Sequence, residues 1–193
     1  MAVGREQIVT SAIQHLNKSP TASMAQVAEA AGVSRATLHR HFTSREELLE
    51  AMGTRALDAW EAVQQAVNLH EALKNPDAEA VERTLRDLLA GLVEVADEHG
   101  FALTDYILEE HPGLQARCDE LETHEIDLIT AAQRLGVLRA DLPARWVSNT
   151  VYGVLVTVRE SLRRGDIARR DASRLAVETF MHGTGGHHDA RQA

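Results

Sequence analysis

MAQVAEAAGVSRATLHRHFTSREELL, residues 24–49, is the stretch whose reading decides the fold. Ser23 followed by Gln26 forms a capping-box pair, so a helix is expected to start near Met24. Ala25, Val27, Ala28 and Ala31 give that helix a small-residue face that another helix can approach closely. Gly32 supplies a residue that takes positive φ without a steric penalty, which ends the helix. Val33 fills the corner and Ser34 caps a second helix, in which Leu38 and Phe42 share one buried face. Arg35, Ala36, Thr37, His39, Arg40 and His41 fall mostly away from that face. Thr43 and Ser44 open a third helix, and Ser44 with Glu47 reads as another capping box. Two short helices joined by a glycine turn, the second with a basic outer face, is the helix-turn-helix arrangement.

Working outward, residues 4–17 read as an amphipathic helix, with Ile8, Ala12, Ile13 and Leu16 at helical spacing. It completes a three-helix head, given the boundaries 1–50. The helix that begins near Arg45 is expected to run to about Val67, where Leu57, Trp60 and Val63 leave the head. Further helices are expected over 77–98, 103–110, 114–135, 143–164 and 169–182. The breaks between them are Asn75-Pro76-Asp77, Gly100, His111-Pro112-Gly113, Gly136 and Gly165-Asp166. The fold class is therefore all-α, about nine helices, with a helix-turn-helix head and a larger C-terminal helical body over 51–183. The tail, residues 184–193, is rich in Gly and His and is expected to be disordered.

The motif AGVSRATLHRHFTSREELL resembles the TetR family of bacterial transcriptional regulators, and the likeness extends over roughly Arg5 to Arg55. The segment RLGVLRADLP, Arg134 to Pro143, is similar to that family's link into its penultimate helix. The family usually carries Tyr where this chain has His39, and often Lys where it has Arg45. The resemblance implies a second helix that enters the major groove of double-stranded operator DNA. Arg40 and Thr37 would then meet base edges, Ala36 would allow close approach, and Ser34, His39 and Arg45 would serve phosphates, with Arg35 and His41 on the same face. It also implies a homodimer in which the last two helices pack against their twins, with Val151, Val154, Leu155, Val158, Leu162, Leu175 and Phe180 at the interface. A small-molecule effector would sit in the body. Candidates for its pocket are Trp60, Phe101, Asp105, Tyr106, Glu109, His111, Leu121, Asn149, Tyr152 and Thr157. Two alternatives stay open: a regulator governed by a protein partner or by nothing, and a helical ligand-binding or enzymatic protein whose head no longer reads DNA.

The bulk numbers bound these readings. A net charge of -9 at first looks wrong for a DNA binder. Residues 1–55, however, carry Arg5, Lys18, Arg35, Arg40, Arg45 and Arg55 against five glutamates, a slight positive excess, so the acidity lies in the body. Affinity would rest on a local patch presented twice. A single cysteine, Cys118, excludes an internal disulfide and a Cys-rich zinc site and fits a reducing cytoplasm. No signal-peptide-like start and no long apolar span point to a membrane, so a cytoplasmic protein is expected. None of the 10 histidines follows a glutamate by three positions, the spacing a helical di-metal site would want, so no metal and no cofactor are expected. With no nucleophile elbow and no phosphate-cradling glycine loop, an enzyme is not expected either.

Overall fold

A computed structural model describes residues 3–101 and 111–186. Among them are nine α-helices: α1 (Arg5–Leu16), α2 (Met24–Ala30), α3 (Arg35–His41), α4 (Arg45–Ala66), α5 (Leu69–Lys74), α6 (Ala78–Glu98), α7 (Pro112–Arg134), α8 (Ala144–Arg164) and α9 (Ala172–Thr184). The chain divides into two compact units: residues 1–59 with 98–118, and residues 60–97 with 119–193. The dividing points fall inside α4 and α7 and before the last residue of α6. Sequence had ended the head at residue 50.

The first unit is built on the apolar stripe of α1. Ile8, Val9, Ala12, Ile13 and Leu16 are buried together with Val27, Ala28, Leu38, Phe42, Leu48 and Met52. Phe101 joins this core from far along the chain. Asn17 makes that possible: its amide nitrogen donates to the Glu98 carbonyl at 2.6 Å, and its oxygen accepts from the Phe101 N–H at 2.9 Å. A loop residue that satisfies two backbone groups at once fixes where residues 98–101 run.

In the second unit, Val81, Leu85, Leu88, Leu89, Leu92 and Ala96 of α6 form one buried stripe. Gly91 lets α4 approach it, since a Cβ there would stand 2.6 Å from the stiff Val63 side chain. On α8, Val147, Val151, Leu155 and Val158 are buried, and on α9 Ala172, Ala176 and Phe180.

Three features differ from the sequence reading. Helix α5 was not expected; it starts because Asn68 takes a left-handed conformation, φ 52°, which Asn tolerates better than most residues. With six residues and Leu69 as its buried anchor, α5 is too short to print a period. The tail begins later than residue 184. Thr184 is buried at the end of α9, Gly185 pairs with Leu138, and the Gly186 N–H reaches the Val137 carbonyl at 2.9 Å. The expected helix over 103–110 and the expected disorder of 187–193 lie outside the described residues.

Candidate nucleic-acid interface

Local chemistry sets α3 on the head. Ser23 caps α2: its Oγ accepts the Gln26 N–H, and the Gln26 side chain accepts the Ser23 N–H at 2.8 Å. Gly32, at φ 67°, then allows the turn, and the Val33 N–H reaches back to the Ala28 carbonyl at 2.9 Å. Ser34 caps α3 by accepting the Thr37 N–H at 3.1 Å. Leu38 and Phe42 anchor α3, both buried, with the Arg5 guanidinium 4.6 Å above the Phe42 ring. At α4 the expected capping box is displaced by one residue. Ser44 Oγ accepts the Glu47 N–H at 3.1 Å, but the Glu47 carboxylate takes the Thr43 N–H at 2.8 Å. That hydrogen bond holds the Glu47 carboxyl below its usual range, with the Thr43 hydroxyl contributing second.

With α3 so anchored, Ser34, Arg35, Ala36, His39 and Arg40 are exposed, and Thr37 and His41 are half-buried. The head's arginines fall into two groups. Arg45 donates to the carbonyls of Ala22 at 2.6 Å and Pro20 at 3.1 Å, so it braces the loop before α2. Arg55 donates to Thr10 Oγ1 at 2.8 Å, and Arg5 lies 3.9 Å from Glu47. Arg35 and Arg40 have no ion pair or hydrogen bond among the described residues, and their charge points outward. A groove of about 840 Å³ elsewhere on the first unit is lined by Arg5, Glu47, Arg55, Asp58 and His99. Several of its charges are already engaged: Arg55 lies 3.8 Å from Glu6, and Asp58 pairs with Arg117 at 2.6 Å. His99 is buried beside it, and burial, with Arg55 adding, pushes its imidazole below its ordinary pKa.

The pocket candidates do not come together as one set. Trp60 and Leu121 meet in the second unit, around a buried Glu125: the Trp60 indole donates to Glu125 Oε1, and the Gln64 amide donates to the Leu121 carbonyl at 2.9 Å. Phe101 is spent in the head's core, and His111 is half-buried in that same unit. Asn149, Tyr152 and Thr157 are exposed on α8. Asp105, Tyr106 and Glu109 lie outside the described residues. Sequence reasoning missed Gln64, His124 and Glu125. A signal existed, because Glu125 stands four residues after Leu121 and shortly before Leu128 and Ile129, an acid on the buried stripe of its helix.

The chain itself covers part of the expected dimer face. Val151, Leu155, Val158 and Phe180 are each buried within the chain, so they have little surface to give a partner. Val154, Leu162 and Leu175 keep partial exposure. The outward side of α8 is instead Trp146, 62% exposed, with Asn149, Gly153 and Thr157 at helical spacing. A Cβ at Gly153 would meet nothing. Among the described residues no group of His, Cys, Asp and Glu could hold a metal ion, and no helix is long and apolar enough to cross a membrane.

The pattern that defines the bacterial regulatory proteins of the tetR family matches residues 20–52, the α2–α3 segment with its flanks. The HTH-type transcriptional regulator NfxB of Pseudomonas aeruginosa is 26% identical, over 92% of either chain. The HTH-type transcriptional repressor LfrR of Mycolicibacterium smegmatis is 23% identical, over 83% of this chain and 80% of its own. A crystal structure of LfrR in complex with proflavine superposes with a TM-score of 0.74, covering 93% of this chain and 94% of LfrR. AibR in complex with isovaleryl coenzyme A and operator DNA, 14% identical, gives 0.66, covering 93% of this chain and 96% of AibR.

Proposed function

We propose that the chain is a member of the tetR family of bacterial regulatory proteins, whose pattern matches residues 20–52, and that it is a homodimeric repressor released from a palindromic operator by a small molecule. The observation that carries the reading is the division among the head's arginines. Arg45 and Arg55 are engaged on the head's own groups, whereas Arg35 and Arg40 are held outward on a capped, anchored helix with nothing to neutralise them. A polyanion is the partner such a surface fits. Arg40 and Thr37 read base edges, Ala36 admits the groove, and Ser34, Arg35, His39 and His41 serve the backbone. Arg45 acts chiefly by bracing the turn and offers its remaining N–H groups to phosphate. His39, fully outward, donates to a phosphate where the family usually has Tyr.

Two copies assemble through α8 and α9, along the stripe of Trp146, Asn149, Gly153 and Thr157. Gly153 lets the two helices come close, and the two-fold axis places the α3 helices at repeating DNA turns. The effector acts by binding one conformation of the dimer more tightly than the other. LfrR with proflavine and AibR with isovaleryl coenzyme A and operator DNA support both halves of this reading. The protein works in the cytoplasm, where its operator is, and it carries out no catalysis.

The test is fluorescence anisotropy with DNA from upstream of the protein's own gene, titrated with salt. Tight, salt-sensitive and sequence-selective binding is expected. Arg40→Ala should cost about 1–3 kcal/mol of specific binding; equal weakening on every sequence would demote Arg40 to a phosphate contact. Gly153→Glu, which has room within one chain, should give folded monomers with weakened operator binding. Dimers that persist by sedimentation would place the interface elsewhere.

A further inference from the structure

Among the described residues Glu125 is the only buried acid, 6% exposed. Its hydrogen bonds come from two neutral donors, the Trp60 indole and the Gln64 amide, the latter at 3.4 Å. Gln64 is itself held: its nitrogen also reaches the Leu121 carbonyl, and its oxygen pairs with His124 Nδ1 at 3.1 Å. Those bonds aim the amide nitrogen at Glu125. The charge that acts on Glu125 is another acid, Glu122, whose partner is Arg145 at 3.0 Å. Among the described residues no lysine or arginine compensates Glu125. Outward from it the cluster becomes more accessible: Trp60 and His124 are half-buried, and the exposed His70 ring stands edge-on to His124 at 4.5 Å.

We propose that this cluster is the charge-selecting end of the effector site and that the effector is a flat organic cation. The inference rests on the second unit being the effector-binding part of a regulator. A buried carboxylate supported by neutral donors keeps much of its desolvation penalty, and the described residues supply no cation to offset it. A bound cation would. Burial holds the carboxyl up at about 7, so near neutral pH it is poised to ionise when such a ligand arrives. Trp60, His124 and His70 provide ring faces on which a delocalised cation can lie. A bare metal ion fits poorly, since no sufficient set of ligating groups surrounds Glu125 among the described residues.

The experiment uses the full chain with two ring-matched probes at about pH 8: proflavine, which carries the positive charge, and acridine, which is neutral there. Proflavine should bind at least ~10-fold more tightly than acridine, and Glu125→Gln should abolish that preference while leaving acridine within ~2-fold. Glu125→Asp, which keeps the charge, should retain the preference, and it covers the case in which the glutamine variant fails to fold by circular dichroism. Equal affinity for the two probes in the parent, no binding of either, or a preference that survives in a folded Glu125→Gln would each overturn the cation site. Operator binding by the ligand-free parent is measured alongside. Operator bound without a cation preference sinks the cation site alone; a cation preference without any operator binding supports the site and sinks the repressor reading.

Discussion

The outer face of α3 and the Glu125 cluster of the second unit each carry charge that the chain does not neutralise, and they do so at opposite ends of the dielectric scale. Arg35 and Arg40 stand in water, where an unpaired guanidinium costs little. Glu125 is enclosed, where an unpaired carboxylate costs a great deal. The first pattern is inexpensive and common on protein surfaces; it gains meaning only because capping and anchoring hold it in one orientation. The second is expensive wherever it occurs, so its retention asks for a purpose. Unpaired cations outside and an unpaired anion inside thus point to partners of opposite charge, a polyanion and a cation.

That comparison can be broken first at the anchor of α3. Phe42 is fully buried, and Phe42→Ala should cost about 3–5 kcal/mol of stability, measured by urea unfolding, and abolish operator binding. A folded variant that still reads its operator would show that the orientation of Arg35 and Arg40 does not depend on this packing.

The interior half is tested by stability against pH. The Glu125 carboxyl titrates at about 7 in the fold against 4.5 when solvated, so between those values the folded chain binds more protons than the unfolded chain. Stability attributable to this group therefore falls as pH rises from the lower value through the upper one and levels off above it. Glu125→Gln, which keeps an acceptor for the Trp60 indole, should leave stability near pH 4 unchanged and raise it by about 3 kcal/mol near pH 8. A variant destabilised at both pH values would mean that the carboxylate holds the unit together, and the contrast with the surface arginines would fail. His124 and Glu122 lie close by and are present in both proteins, so the difference between the curves isolates Glu125.

The smallest effect sharpens the surface half. Ser34→Ala removes the cap of α3 and should cost about 1 kcal/mol of stability. Operator affinity should fall with the salt slope unchanged, since the hydroxyl lost is neutral; a changed slope would mean that the cap also holds the phosphate-paired arginines in place.

The head was legible because its signals are local. Ser23, Gln26, Gly32 and Ser34 act over three or four residues, and each made the contact its spacing predicts, apart from the one-residue shift of Glu47 onto Thr43. Arg45 was harder, because its partners Pro20 and Ala22 lie in a loop whose path depends on how α1 meets α2. The body yielded its helices but not its surfaces. Apolar residues on α8 marked a buried stripe, yet nothing in their spacing said whether the chain itself or a second copy would cover it; the chain covers Val151, Leu155 and Val158. Phe101 looked like pocket lining and became head core, because Asn17 captures the backbone beside it.

Sequence by itself determined the helices, their caps and the orientation of α3, since hydrogen bonds and side-chain periodicity within a few residues settle those. Tertiary structure decided which apolar faces were already covered, which arginines were already engaged, and that Glu125 would be enclosed with Trp60 and Gln64. Those outcomes depend on residues some sixty positions apart in the chain meeting in space, as Trp60 and Glu125 do, and their burial follows from packing that no local spacing encodes.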